Sequence, residues 1–390
     1  MSGAGRSVPL LLSYGFRPFF LLAAVWSGGA IAVWLWLLHT GTALPSRFDG
    51  LTWHIHEMLF GFVMAAIAGF LLTAVANWTG RTPVRGLILG VLVLAWVAGR
   101  VVCWFSANLP AGLVVVTDLA LPALLVVVVL RELIAARNWR NLPMAVPVAV
   151  LGTANLLMHL ESLGIGLPTG LGWRLAVAAM ISLVSAVAGR IVPAFTRNWL
   201  KKRGKGDVLA AGFLDRATLG LLHAALLAWA FFPSSRIVGM FLVLAAGFNL
   251  WRLLRWRGAV TREEFLLLIL HIGYCWMAIG VALLGLATLS SEVPLTAAIH
   301  GLTVGTVGTM ILAVMTRATR GHTDRPLSAD RPTAAIYVLV LLAGCARVAA
   351  GFDIGYPPLL DISAALWIAA YSLFTVTYGP MLIGQKAAQL

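Results

Sequence analysis

The chain has 390 residues, of which 61% are hydrophobic and only 11% charged, and its mean hydropathy is +0.94. That composition excludes an ordinary soluble domain and reads as a polytopic membrane protein. The net charge of +14 and pI near 10.8 do not point to nucleic acid, because the basic residues lie in short loops between apolar runs.

Twelve apolar runs, each long enough to cross a ~30 Å hydrocarbon core, fall at 18–38, 51–76, 87–105, 111–130, 141–160, 171–193, 216–232, 236–256, 264–286, 295–316, 334–350 and 359–382. The expected fold class is an all-α polytopic membrane protein of twelve transmembrane helices, with residues 1–390 forming a single integral membrane domain. The loops alternate in charge. Arg6, Arg17, Arg81, Arg85, Arg131, Arg137, Arg140, Arg190 through Arg216, Arg252 through Arg262, Arg317 through Arg331 and Lys386 fall on one side. Of 28 basic residues, only Arg47, Arg100, Arg174, Arg236 and Arg347 fall on the other. This asymmetry places both termini in the cytoplasm. Pro18 to Leu38 is too long for a signal peptide and lacks a cleavage pattern. Cys103, Cys275 and Cys345 form no CxxC pair and read as packing thiols. The connection from Thr196 to Asp215 carries Lys201-Lys202-Arg203-Gly204-Lys205; without a Ser/Thr helix start it is no phosphate loop, and it reads as a solvated face beside anionic lipid.

The exits of three spans echo one another: AVANWTGR after the second, IVPAFTRNW after the sixth and LAVMTRATR after the tenth. WVAGR at Arg100 and AGCAR at Arg347 form a further pair. Four spans separate each echo, so the twelve are expected to form three pseudo-repeated arcs, roughly residues 1–139, 140–258 and 259–390.

Trp53 to Arg81, WHIHEMLFGFVMAAIAGFLLTAVANWTGR, sets two histidines and a glutamate at the mouth of the second span. Imidazole there is costly unless it is ligated or hydrogen-bonded, which hints at a metal site. The pattern WHxHEMxFGF followed by AGFLLTAVxNWTG resembles the signature of the NnrS family, multispanning bacterial proteins tied to nitric-oxide metabolism that carry haem and copper. Ala298 to Leu327, AIHGLTVGTVGTMILAVMTRATRGHTDRPL, is similar to that family's C-terminal signature, and Gly15-Phe16-Arg17-Pro18-Phe19-Phe20 fits as well. Ala76 departs from the pattern, which has proline there. The resemblance implies a multi-pass protein of the bacterial inner membrane, active in nitric-oxide metabolism or nitrosative-stress protection. It implies copper and haem, b-type, with nitric oxide as the small-molecule ligand, bound at a haem near the periplasmic side.

The three-arc plan also resembles the catalytic subunit of haem-copper oxidases, in which the second, sixth and tenth helices face the cofactors. The resemblance is architectural. Here the sixth span has no histidine, the seventh has only His223 and the tenth only His300, so an oxidase-type binuclear centre is not expected.

Depth sorts the histidines. His54, His56 and His300 lie near the outer side of the second and tenth spans, and His159 lies at the outer end of the fifth. His223 and His271 lie nearer the cytoplasmic side. His300 with one of His54 or His56 is expected to ligate a haem iron. Two residues apart on a helix is ~200° of rotation, so His54 and His56 cannot serve alike. Met58 shares a face with His54, and imidazole with thioether suits Cu(I), although ordinary packing is the better account of Met58. Arg100 and Arg347 are candidates for pairing haem propionates or for snorkelling to headgroups. Glu57, Asp118 and His159 are candidate outer partners of the ligands. His223 and His271 are candidate ligands of an inner copper. His322 has no role beyond the resemblance.

The competing class is a twelve-helix secondary transporter of the major facilitator type, with the bilayer as its surroundings and both termini inside. Against it, the echo falls every four spans and not every six, and the connection from Asn77 to Gly86 lacks that group's acidic-then-basic pattern.

Overall fold

The computed structural model describes residues 8–384; Arg6 and Lys386, which contribute to the topology expectation, lie outside the described residues. Among the described residues there are no strands, and twelve long helices follow in order. They are α1 Phe16–Thr40, α2 Gly50–Thr79, α3 Leu87–Trp104, α4 Ala111–Ala135, α5 Ala145–Ser162, α6 Leu171–Lys202, α7 Phe213–Phe231, α8 Arg236–Leu254, α9 Phe265–Leu289, α10 Leu295–His322, α11 Arg331–Gly351 and α12 Pro358–Ile383. Eleven are long and apolar enough to cross a membrane. The exception, α7, holds Asp215, Arg216 and His223 within its 19 residues.

Hydropathy alone ends three helices too early, and side-chain hydrogen bonds explain each extension. α4 continues to Ala135 because buried Glu132 stays helical, accepting from Arg81 Nε at 2.7 Å and from Arg131. α6 passes Pro193 and runs to Lys202, with Thr196 Oγ1 bonded to the Val192 carbonyl at 2.9 Å and Trp199 and Leu200 buried. α10 passes 316 and runs to His322, with Arg320 buried and its Nε donating to Tyr378 Oη at 3.0 Å. α2 runs through Ala76 to Thr79 and stops at Gly80, whose φ of +66° is the left-handed conformation glycine adopts freely.

Cα packing divides the chain into two compact units. The first comprises α1 to α5 together with the ends of α10 and α12, from Ala318 and Phe374 respectively. Its interior helix is α2, whose apolar stretch is 89% buried, against 33% for α1 and α3. Gly69 of α2 lets Phe19 and Phe20 of α1 pack directly against the helix, the small-residue packing that membrane helices favour. At the cytoplasmic end of the expected topology, His322 lies against Phe16 and Tyr14, with ring centroids 5.3 and 5.2 Å away.

The second unit comprises α6 to α9, α10 as far as Arg317, α11, and α12 as far as Leu373. Here α9 is the interior helix, packed on α8, α10 and α6. A polar network ties the start of α7 to α8 and α9. Asp215 accepts from Arg252 Nε at 3.2 Å, Arg255 Nη1 at 2.9 Å and Gly212 N at 2.9 Å. Arg252 donates onward to Tyr274 Oη at 2.9 Å, and that hydroxyl donates to Asn249 Oδ1 at 2.6 Å.

α2 and α10 share one irregularity. Each widens from an α-helix to a π-helix directly after a histidine, over Glu57–Val63 and Gly301–Gly308. A π-turn pairs i with i+5, leaves carbonyls off the regular ladder, and recurs at functional sites. In α2 the carbonyl of Gly61 takes up a new donor, Trp96 Nε1, at 2.9 Å. Position 61 requires glycine, since a Cβ there would run into the Trp26 indole and the Glu57 carboxylate.

Candidate metal centre

The first unit holds a closed polar cluster made by four helices. α2 supplies His56 and Glu57, α3 supplies Arg100 and Cys103, α4 supplies Asp118, and α5 supplies Asn155 and His159. All seven side chains are buried, with His56 and Glu57 at 0% exposure. His56 Nδ1 lies 3.1 Å from Glu57 Oε1, while Nε2 lies 3.0 Å from Asp118 Oδ2 and 2.9 Å from Asn155 Oδ1. His159 Nε2 lies 3.0 Å from the same Asp118 Oδ2, and Asn155 Nδ2 donates to it at 2.8 Å. Arg100 reaches both acids: Nη1 donates to Glu57 Oε2 at 2.8 Å, and Nη2 donates to Asp118 Oδ1. Gly99 makes room for this, because a Cβ there would stand 2.8 Å from Asp118 Oδ1.

Charge decides what such a cluster needs. Two carboxylates and one guanidinium leave one negative charge buried, and an uncompensated charge in that setting costs several kcal/mol, about 3–5 by the penalty for breaking a buried pair. A second positive charge balances it, either a proton held by the imidazoles or a metal ion. One ligand atom from each of His56, Cys103, Asp118 and His159 lies within 4.8 Å of all the others. Tetrahedral Zn-type ligation at ~2.0–2.3 Å brings such atoms to roughly 3.3–3.8 Å apart, so a modest contraction would close the set. Two imidazoles, a carboxylate and a thiol suit zinc or copper and not magnesium or calcium. The surroundings fit as well. Glu57 holds His56 by Nδ1 and turns Nε2 toward Asp118, the carboxylate–histidine arrangement that fixes a ligating tautomer. Arg100 occupies Asp118 Oδ1 and leaves Oδ2 on the side of the histidines.

The other residues singled out in the sequence have different settings. His54 faces away from the cluster and stacks on Trp34, ring centroids 4.9 Å apart. Met58 packs against the apolar group Ala30, Leu37, Phe48 and Trp53. Arg100 could have pointed to headgroups or to a propionate; its guanidinium is engaged by Glu57 and Asp118. His300 belongs to the second unit, where its Nδ1 donates to the Thr296 carbonyl at 2.7 Å. That bond puts the ring's lone pair on Nε2, the tautomer a metal-binding histidine uses. Arg347 is half-buried on α11, and Val348 next to it packs beside Gly301. His223 bonds Ser185 Oγ and His271 bonds Thr196 Oγ1, each at 2.9 Å. Those hydroxyls stand eleven residues apart on α6, roughly 16 Å along the axis, so the two histidines make separate contacts.

Two members of the cluster were not picked out in the sequence. Cys103 passed for a packing thiol, yet it follows Arg100 by one helical turn and so shares its face. Asn155 precedes His159 by four residues in an otherwise apolar helix, a polar pair on one face that was legible in principle.

A search of curated proteins finds no match. The family described as NnrS protein matches residues 10–386. With nearly its whole length covered, the chain belongs to the NnrS family.

Proposed function

We propose that this protein is a haem- and copper-binding inner-membrane protein of the nitric-oxide response, with both termini in the cytoplasm. The observation that carries the proposal is the buried His56–Cys103–Asp118–His159 set with its negative imbalance. His56, His159, Asp118 and Cys103 would hold the copper. Glu57 fixes the His56 ring, Asn155 holds Asp118 in place, and Arg100 pairs with both acids and aims them. His300, with its Nδ1 occupied by Thr296, is the residue we assign to a haem iron. Copper or ferrous haem held by these residues would supply a centre able to coordinate nitric oxide. The chain's own residues keep that centre dry and fix its donors.

The test is a metal and haem inventory of purified protein, with visible spectra oxidised and reduced, before and after nitric oxide. Copper near one per chain that falls in His159→Ala and Asp118→Asn is the expected result. Haem should be lost or spectrally altered in His300→Ala only. Wild-type protein that reaches the membrane folded yet contains neither metal would reject the reading. The topology is tested separately by a reporter inserted at Gly204, which should be active only in the cytoplasm.

One feature favours a second reading. The members of the cluster hydrogen-bond to one another, and buried ionisable networks of this kind carry protons in secondary transporters. Metal-free protein that takes up protons with a substrate, and loses this in Asp118→Asn, would favour that class.

A further inference from the structure

A narrow cleft opens beside the cluster, within the first unit. Arg47, Phe48, Ala111, Val115, His159 and Leu163 line it. Its free volume, ≈ 10 Å³, holds about one water-sized molecule. One wall is the His159 ring itself. The other is Phe48, which is 4% exposed and lies with its ring centroid 4.8 Å from that of His56 and 5.2 Å from that of His159. Phe48 thus stands between the cleft and the inner histidine.

Phe48 is not on a helix, so something must hold it. It sits in the connection between α1 and α2, and that connection is fastened to the turn between α3 and α4. Arg47 N donates to Ser106 Oγ at 2.9 Å, and Ser46 Oγ meets the same hydroxyl at 3.1 Å. Ala107 N donates to the Pro45 carbonyl at 3.1 Å, and Arg47 Nη2 donates to the Leu109 carbonyl at 2.5 Å. Four bonds across two loops fix one phenyl ring over two imidazoles.

We propose that this cleft is the entry and holding site for a neutral guest of one or two heavy atoms bound for the cluster, with Phe48 the residue that separates it from His56. The inference takes the cluster of the preceding section as the guest's destination. Size excludes larger molecules. Charge selects against cations, because the Arg47 guanidinium stands on the wall and no carboxylate lines the cleft. The apolar side chains of Phe48, Ala111, Val115 and Leu163, with Ser106 and Ser162 as uncharged polar neighbours, suit a diatomic gas or a small neutral peroxide better than a strongly hydrated ion.

The test needs no metal. Hydrogen peroxide is neutral and of the right size, and it converts an accessible thiol to the sulfenic acid while the peroxide is reduced to water. Purified full-length, metal-free protein is treated with peroxide, and the oxidation of Cys103 is followed by peptide mass spectrometry against exposed Cys345 as internal reference. Phe48→Ala should oxidise Cys103 about tenfold faster, and Ala111→Phe, which adds bulk at the rim, should slow it about threefold, both relative to Cys345. Should Phe48→Ala not fold, Ala111→Phe decides the matter alone. Cys103 reacting at one rate in all the folded variants, or in none of them, would overturn the entry route. A protein that binds no copper yet shows these rate changes would lose the copper assignment and keep the cleft as the way in.

Discussion

Each unit buries an arginine with its acids, and the two networks differ in sign. In the first, Arg100 serves two carboxylates, Glu57 and Asp118, beside two imidazoles and a thiol. In the second, one carboxylate, Asp215, serves two guanidiniums, Arg252 and Arg255, and the remaining partners are a tyrosine, an asparagine and backbone groups. Arg255 also keeps 22% of its side chain exposed, so water shares the surplus positive charge. An acid excess sealed from water demands a positive charge, a proton or a metal ion, and the two imidazoles and the thiol offer places to receive either. A base excess at a wet edge demands nothing. The second network is a fastening between helices; the first has the makings of a site.

The most severe way to break this contrast is to remove the arginine from each. Arg100→Ala strands two buried carboxylates, and we expect a loss of about 3–5 kcal/mol. Arg252→Ala leaves Asp215 with Arg255 and the Gly212 N–H, and the cost should be about 1–3 kcal/mol. Thermal unfolding in detergent, read side by side, checks the order; equal losses would erase the distinction.

Metal affinity sharpens the comparison next. Glu57→Gln, at the acid that bonds the His56 ring and Arg100, should weaken copper binding by roughly 10–100-fold. Asp215→Asn should leave copper titrations unchanged, although it too removes a buried acid. A copper titration that responds to both would mean that the effect is one of general stability.

The smallest effect concerns the basic loop after α6. Asp207 is exposed, and its carboxyl lies below its ordinary value of 3.8, chiefly because the Val208 N–H donates to it at 2.6 Å, with Arg197 at 2.9 Å and Lys201 adding to this. A lowered folded value means that the contribution is present above the ordinary carboxylate range and is lost as pH falls through the lowered one. Proteolytic nicking of residues 203–212 should therefore rise only below about pH 4, and only slightly, as befits exposed pairs. Nicking that rises between pH 5 and 7 would contradict this.

The helices were legible in the sequence because lipid imposes a length and a composition that any apolar run reveals. What hydropathy missed was where polar turns stay helical, as at Glu132 in α4 and Arg320 in α10, since that depends on partners elsewhere. His56, Glu57, Arg100, Asp118 and His159 were each conspicuous as ionisable groups in apolar surroundings. That they meet was not legible. Four helices contribute, and only the crossing geometry brings Asp118 between His56 and His159. Cys103 and Asn155 stayed hidden because thiols and amides inside membranes usually have nothing more to do than pack.

The π-turn of α2 has a consequence for mutational tolerance. A π-turn amounts to about one residue more than an α-helix needs for the same span. Deleting a single residue from the segment 57–63 would let α2 relax into an unbroken α-helix, at little cost in backbone hydrogen bonds. The same deletion would leave both flanks facing nearly as before, yet it would draw the Gly61 carbonyl back onto the helical ladder and off Trp96 Nε1, and reset the turn that begins at Glu57. A helix that accepts an amino-acid deletion as a fold and rejects it as a site has its spare residue where function keeps it from being lost.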